Sequence, residues 1–124
     1  LDHIRKNDKN PTSGREELWQ ALKTNVGVDL LIDARIGGET IRTLSLRPVN
    51  DVEYWDWYEA QLFADGEEAP LPCTARAIVD VGFFVGAIIT NLIRKFLKDG
   101  VVSYEVVCNV ANQIQIFYPN VEVI

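Results

Sequence analysis

Apolar and polar positions along the chain fall into several distinct periods. Residues 1–14 carry Lys, Asn and Asp up to Pro11-Thr12-Ser13-Gly14, which predicts a flexible N-terminal segment. Ser13 and Glu16 have the spacing of a capping box. Leu18, Trp19, Leu22 and Val26 then recur three to four apart, one face of a short helix that Asn25 and Gly27 can end. Val28–Ala34 is mostly apolar and is bounded by Gly27 and Gly37-Gly38, which predicts a buried strand with both faces covered. The glycine pair suits a two-residue hairpin turn, with Glu39–Leu46 as the alternating return strand and Pro48 as its stop.

Residues 51–70 change character. Seven acids occur there without a base, interleaved with Tyr54, Trp55, Trp57, Tyr58 and Phe63. The plain expectation is a surface segment with its aromatics docked on the core and its acids solvated. The sharper one is an acidic docking surface for a basic partner. Pro70 and Pro72 precede the longest predicted helix, about Thr74–Lys98, with Arg94, Lys95 and Lys98 near the end where the helix dipole favours cations and Gly100 as its stop. Gly82 and Gly86 leave a bare stripe on it, expected to admit close packing. Ser103–Asn109 and Gln113–Tyr118 flank Val110-Ala111-Asn112 as a second hairpin.

Composition narrows the class. A length of 124 residues suits about one domain, and 48% apolar with 24% charged residues argues against disorder. The net charge of −6 is the wrong sign for nonspecific nucleic-acid or anionic-membrane binding. The longest uncharged apolar stretch, Val81–Ile93, is too short for a bilayer, which takes about 20 residues, and reads as a buried helix. The two cysteines and the single His3 cannot make a zinc site without carboxylates, so no zinc is expected. A Cys73–Cys108 disulfide is compatible with the sequence but not required, and a cysteine-poor acidic chain fits the cytoplasm. The chain begins Leu1-Asp2-His3 and contains no methionine, so a tag, a proteolytic cut or a longer parent is expected before Leu1.

The chemistry-bearing residues are few. There is no Gly-x-Gly-x-x-Gly, no Walker-type loop and no serine–histidine–acid set. Leu71-Pro72-Cys73-Thr74-Ala75-Arg76 places a thiol at the mouth of the long helix, where unpaired amides, the dipole and Arg76 favour a thiolate. The plainer reading of Cys73 is a small apolar residue in the seam between loop and core. Cys108 has apolar strand neighbours and reads as core. Asp33-Ala34-Arg35 ends the first strand, either as a local ion pair or as a polar pair at the edge of a cleft.

Leu30–Glu39, followed by Pro72-Cys73-Thr74-Ala75-Arg76-Ala77-Ile78, resembles the C-terminal half of ThiF/MoeB/HesA-type proteins, the prokaryotic relatives of ubiquitin-activating enzymes. The likeness covers roughly residues 15–118 and lies in the order hairpin, loop, small-residue helix, hairpin, and in Cys73-Thr74-x-Arg76. It implies an α/β fold: the C-terminal part of a Rossmann-like ThiF-type domain (residues 15–124), with a mixed sheet, two β-hairpins and one long buried helix. It further implies an ATP-dependent adenylyltransferase that activates the C-terminus of a ubiquitin-like or sulfur-carrier protein. Cys73 and Arg76 would be catalytic, Asp33 and Arg35 substrate-binding, and the chain a homodimer or the partner of an N-terminal half. ATP and Mg2+ would bind through that upstream half, about as long again. The family's Asp five residues before an Arg is not matched, since Asn10 stands five before Arg15. Two other readings remain: a non-catalytic dimerisation or interaction module using the aromatic–acidic segment 51–68, and a small α+β domain of unrelated function.

Overall fold

The computed structural model describes residues 14–67 and 79–119. The described elements are α1 (Gly14–Leu22), β1 (Leu31–Gly37), β2 (Thr40–Leu46), a 3-10 turn (Val52–Tyr54), α2 (Trp55–Glu67), α3 (Val79–Asp99), β3 (Glu105–Asn109) and β4 (Ile114–Tyr118). The four strands form one sheet in the order β1-β2-β3-β4, every pair antiparallel. This is a purely antiparallel meander among the described residues, not the mixed sheet expected. Both hairpins connect adjacent strands directly, and the helices inserted between β2 and β3 return the chain to antiparallel pairing.

Register sorts the side chains onto two faces, because successive residues of a strand point opposite ways. Asp33 opposite Leu44 and Leu31 opposite Leu46 share one face. There Leu44 and Leu46 pack with Trp19 of α1, with Tyr58 and Leu62 of α2, and with Tyr104. Ile41 opposite Cys108 and Thr43 opposite Val106 lie on the other face. There Ile41, Val106 and Cys108 pack with Val81, Ile88 and Leu92 of α3. The described chain is therefore a three-layer α/β/α arrangement, with α1 and α2 on one side of the sheet and α3 on the other.

The first strand lies three residues further along than expected. Asp33 and Arg35 read as a strand end, yet they sit inside β1 because each finds polar partners there. The turn moves accordingly: Gly37 pairs with Thr40, and Gly38 takes a φ of +61°, the left-handed region open to glycine. The segment after Pro48 is not a loop but a 3-10 turn running into α2. Trp55, Tyr58 and Leu62 are three and four apart and turn one face to the core. Helix α3 ends where Gly100, at φ +68°, donates its N–H to Phe96 O at 2.9 Å. It is not buried all round: Val81, Ile88 and Leu92 face the sheet, whereas Val79, Phe83 and Leu97 are exposed. Val26 lies beyond α1 and is 84% exposed, so it is not part of the helix's apolar face. The Ser13 cap, the start of the long helix before Val79, and residues 1–13 lie outside the described residues. No described helix is long and apolar enough to cross a membrane.

Burying a large aliphatic side chain contributes about 1.5–3 kcal/mol, and removing one leaves a cavity as well. Ile41 is fully buried at the centre of the α3 face. Ile41→Ala is expected to destabilise the chain by about 2–5 kcal/mol, whereas Val26→Ala should stay within about 0.5 kcal/mol. Urea unfolding of the two variants checks the contrast.

Candidate functional site

Residues 31, 33, 35 and 37 direct their backbone groups toward β2, as the pairing next to a two-residue turn requires. Ile32, Ala34 and Ile36 therefore point N–H and C=O outward. No backbone group of a described residue pairs with this outer edge of β1. A side chain does reach it: Arg15 Nη2 donates to Ala34 O at 3.4 Å.

Asp33 organises the site. Its side chain is 5% exposed. Oδ1 accepts from Arg15 Nε at 2.8 Å, while Oδ2 accepts from Arg35 Nη2 at 2.9 Å and from the Tyr58 hydroxyl at 2.9 Å. These donors come from α1, β1 and α2 in turn. The side chains meet because β1 places residues 33 and 35 on the face that α1 and α2 cover. Burial alone pushes the Asp33 carboxyl up, but the Arg35 guanidinium, the Tyr58 hydroxyl and Arg15 together hold it below the usual carboxylate range. Tyr58 moves the opposite way, well above an ordinary phenol, because burial and then the Asp33 charge both disfavour its phenolate. Arg35 extends the cluster, donating through Nη1 to Gln61 O at 3.1 Å. Arg42 continues it across the face, to Gln61 Oε1 at 2.9 Å and Glu105 Oε2 at 2.6 Å.

Beside this cluster a cavity of about 210 Å3 opens between α1 and the β1 edge, bounded by Arg15, Leu18, Trp19, Leu31, Asp33 and Tyr58. Its polar wall is a carboxylate saturated by two guanidiniums and a phenol. A carboxylate held ionised in this way is a poor proton acceptor at neutral pH, where a general base needs a pKa near the operating pH. The arrangement can instead fix the Arg15 guanidinium at the wall of an apolar cleft, with Arg35 bound behind Asp33 to α2.

A second buried carboxylate fastens the far end of the same face. Asp51 is fully buried and accepts from Arg47 N at 2.7 Å, Arg47 Nη2 at 2.8 Å and the Tyr104 hydroxyl at 3.2 Å. Burial, then the Asp51 charge, pushes the Tyr104 phenol up to about 12. Tyr104 stacks on Tyr54 with ring centroids 4.1 Å apart. Between the two carboxylates, Trp19 contacts Tyr58 and Trp55 edge-on at 4.9 and 5.9 Å. Its Nε1 donates to Glu59 Oε2 at 2.8 Å, an oxygen that also accepts from Lys23 Nζ.

Of the residues singled out in the sequence, Asp33 and Arg35 are thus brought together and against Arg15 and Tyr58. Cys73 and Arg76 lie outside the described residues. Cys108 is a free thiol, 1% exposed, within the α3-side core. Nothing in the local sequence pattern singles out Arg15 or Tyr58 as partners of Asp33. The spacing of Trp55, Tyr58 and Leu62 was the available sign that Tyr58 faces inward from a helix. Comparison of the chain with family models, with curated proteins and with solved structures finds no match.

The lowered Asp33 pKa fixes a pH dependence. Its contribution to stability is complete above the unfolded carboxyl value of about 3.9 and is lost as pH falls through the lower folded value. Asp33→Asn is expected to cost about 2–4 kcal/mol at pH 7, since it removes a buried partner of two arginines. The gap to wild type should narrow steadily below about pH 4. Urea midpoints measured from pH 7 to pH 3 check both the size and the sign.

Proposed function

We propose that this chain is the closing half of a ThiF-type adenylating domain, acting on the C-terminal carboxylate of a ubiquitin-like or sulfur-carrier protein. The observation that carries the reading is the order of elements. A hairpin, one long helix and a second hairpin follow in sequence, as the resemblance implies, although the connection read as a loop carries α2 and the sheet is antiparallel rather than mixed. The outer edge of β1 supports it further, because an edge of mostly apolar residues without a described backbone partner is where a sheet could continue into an upstream half.

In this reading the carboxylate of the carrier protein attacks the α-phosphorus of ATP. Pyrophosphate leaves, and an acyl-adenylate forms. The Cys73 thiolate then attacks the acyl carbon, AMP leaves, and a thioester results. Arg76 favours the thiolate over the thiol. Asp33 holds Arg15 at the cleft, where a guanidinium suits an anionic carboxylate or phosphate. The described residues contain no group of three or more His, Cys, Asp and Glu that could hold a metal ion, and no step is assigned through Mg2+. Both ATP and Mg2+ are assigned to the upstream half.

The reading of segment 51–68 as a docking surface draws less from the geometry. Tyr58 is buried, Tyr54, Trp55 and Trp57 pack against the core, and Asp51 and Glu59 are taken up by internal partners. Glu53 and Asp56 are the acids of its first half that face solvent.

ATP–pyrophosphate exchange on the full-length parent with a panel of candidate carrier proteins tests the proposal. Carrier-dependent exchange is expected. Exchange should persist in Cys73→Ala, while a thioester that an added thiol releases by acyl exchange should disappear. Absence of exchange with every carrier contradicts adenylation, and a thioester that survives Cys73→Ala contradicts the role of Cys73.

A further inference from the structure

The outward side of α3 has no partner within the described chain. Val79, Phe83, Ile93 and Leu97 are 77%, 76%, 41% and 77% exposed. With Gly86 and Thr90 they recur at alternating spacings of four and three, which at about 100° per residue places all six on one narrow stripe. The stripe lies opposite Val81, Ile88 and Leu92, which face the sheet. Internal packing does not explain the glycines of α3. A Cβ at Gly82 or Gly86 would meet no described atom within 4 Å, although glycine inside a helix costs roughly 0.5–1 kcal/mol relative to alanine. Thr90 Oγ1 donates to Gly86 O at 2.8 Å, so the hydroxyl at the stripe's centre is already satisfied and brings no unmet donor to an apolar contact.

We propose that this stripe is the seam of a symmetric dimer, with α3 packed antiparallel against α3 of a second copy. The proposal stands on the helix surface and is independent of the adenylation reading. Its basis is self-complementarity. A two-fold axis at the level of residue 88 sets Val79 against the partner's Leu97, Phe83 against the partner's Ile93, and Gly86 against the partner's Thr90. The small pair falls at the centre, where the two backbones come closest. The shape agrees: a concavity of about 430 Å3 is bounded by Thr90, Ile93, Arg94, Leu97 and Lys98. The first four are spaced as the hole that receives one knob from a facing helix. The partner's Phe83 arrives at the level of residue 93, in the middle of that hole.

Charge selects the same orientation. Asp80, Arg94 and Lys98 lie on one flank of the stripe by helical angle. The two-fold brings equal flanks together in opposite directions, so Asp80 falls between the partner's Arg94 and the partner's Lys98. A parallel pairing would instead face this flank with the partner's opposite flank, where Gly82, Ile89 and Phe96 lie, and leave Asp80 without a basic group across the seam.

Sedimentation velocity on the 124-residue chain over a micromolar concentration series reads the outcome. A species of twice the 14.0 kDa chain mass is expected. Phe83→Glu should run as a single chain with an unchanged far-UV circular dichroism spectrum, since residue 83 is exposed. Asp80→Lys should raise the dimer Kd on the order of tenfold. Adding Arg94→Asp and Lys98→Asp to Asp80→Lys should restore it by exchanging the charges. A wild-type chain that stays at single mass overturns the proposal and assigns the stripe to another partner. A dimer indifferent to Phe83→Glu, or a charge exchange that fails to restore association, overturns it as well.

Discussion

The Asp33 carboxylate accepts hydrogen bonds from α1, from its own strand and from α2 at once, and the placement of both helices on the sheet depends on it. A carboxylate taken out of water is costly unless paired and hydrogen-bonded. Here the pairing is fulfilled only when Arg15, Arg35 and Tyr58 converge. The charge therefore makes one arrangement of three elements much better than its neighbours. Asp51 applies the same device at the other end of the face, tying Arg47 at the end of β2 to Tyr104 ahead of β3. Trp19, Trp55, Tyr58 and Tyr104 pack between these two fixed points. Apolar burial supplies the bulk of the favourable free energy, while the two carboxylates determine how the aromatic side chains are arranged.

Both faces of the sheet are covered, but by different chemistry. The α3 side is aliphatic, with Ile41, Val81, Ile88, Leu92 and Val106 in contact and Cys108 as a small core residue. The α1–α2 side is aromatic and carries the ionic clusters. The candidate cleft belongs to the second side, where α1 meets the outer edge of β1. That position combines an apolar pocket, the fixed Arg15 guanidinium and outward-pointing backbone groups.

Much of this was legible in the residues. The hairpins, the long helix and its Gly100 stop follow from local signals: paired glycines, alternation, and a left-handed cap. Asp33 and Arg35 stood out as polar groups in an apolar run, and the structure joins them. The parts that were not legible depend on distant partners. Asp33 is compatible with the interior of β1 because Arg15 lies 18 residues before it and Tyr58 25 residues after it, so local pattern marked the strand's end too early. The acidic run 51–70 resembled a solvated surface because two of its acids are neutralised by Arg47 and Lys23, which lie outside the run. The glycines of α3 suggested close packing, but that packing is not within the described chain.

The central claim is that one buried carboxylate locates α1 and α2 on the sheet. Native-state hydrogen exchange of Asp33→Asn tests it most directly, because exchange separates local opening from global unfolding. Amides of α1 and of the first turns of α2 are expected to lose protection well beyond those of β2 and β3. Unchanged protection in α1, or an equal loss in every element, would contradict the claim.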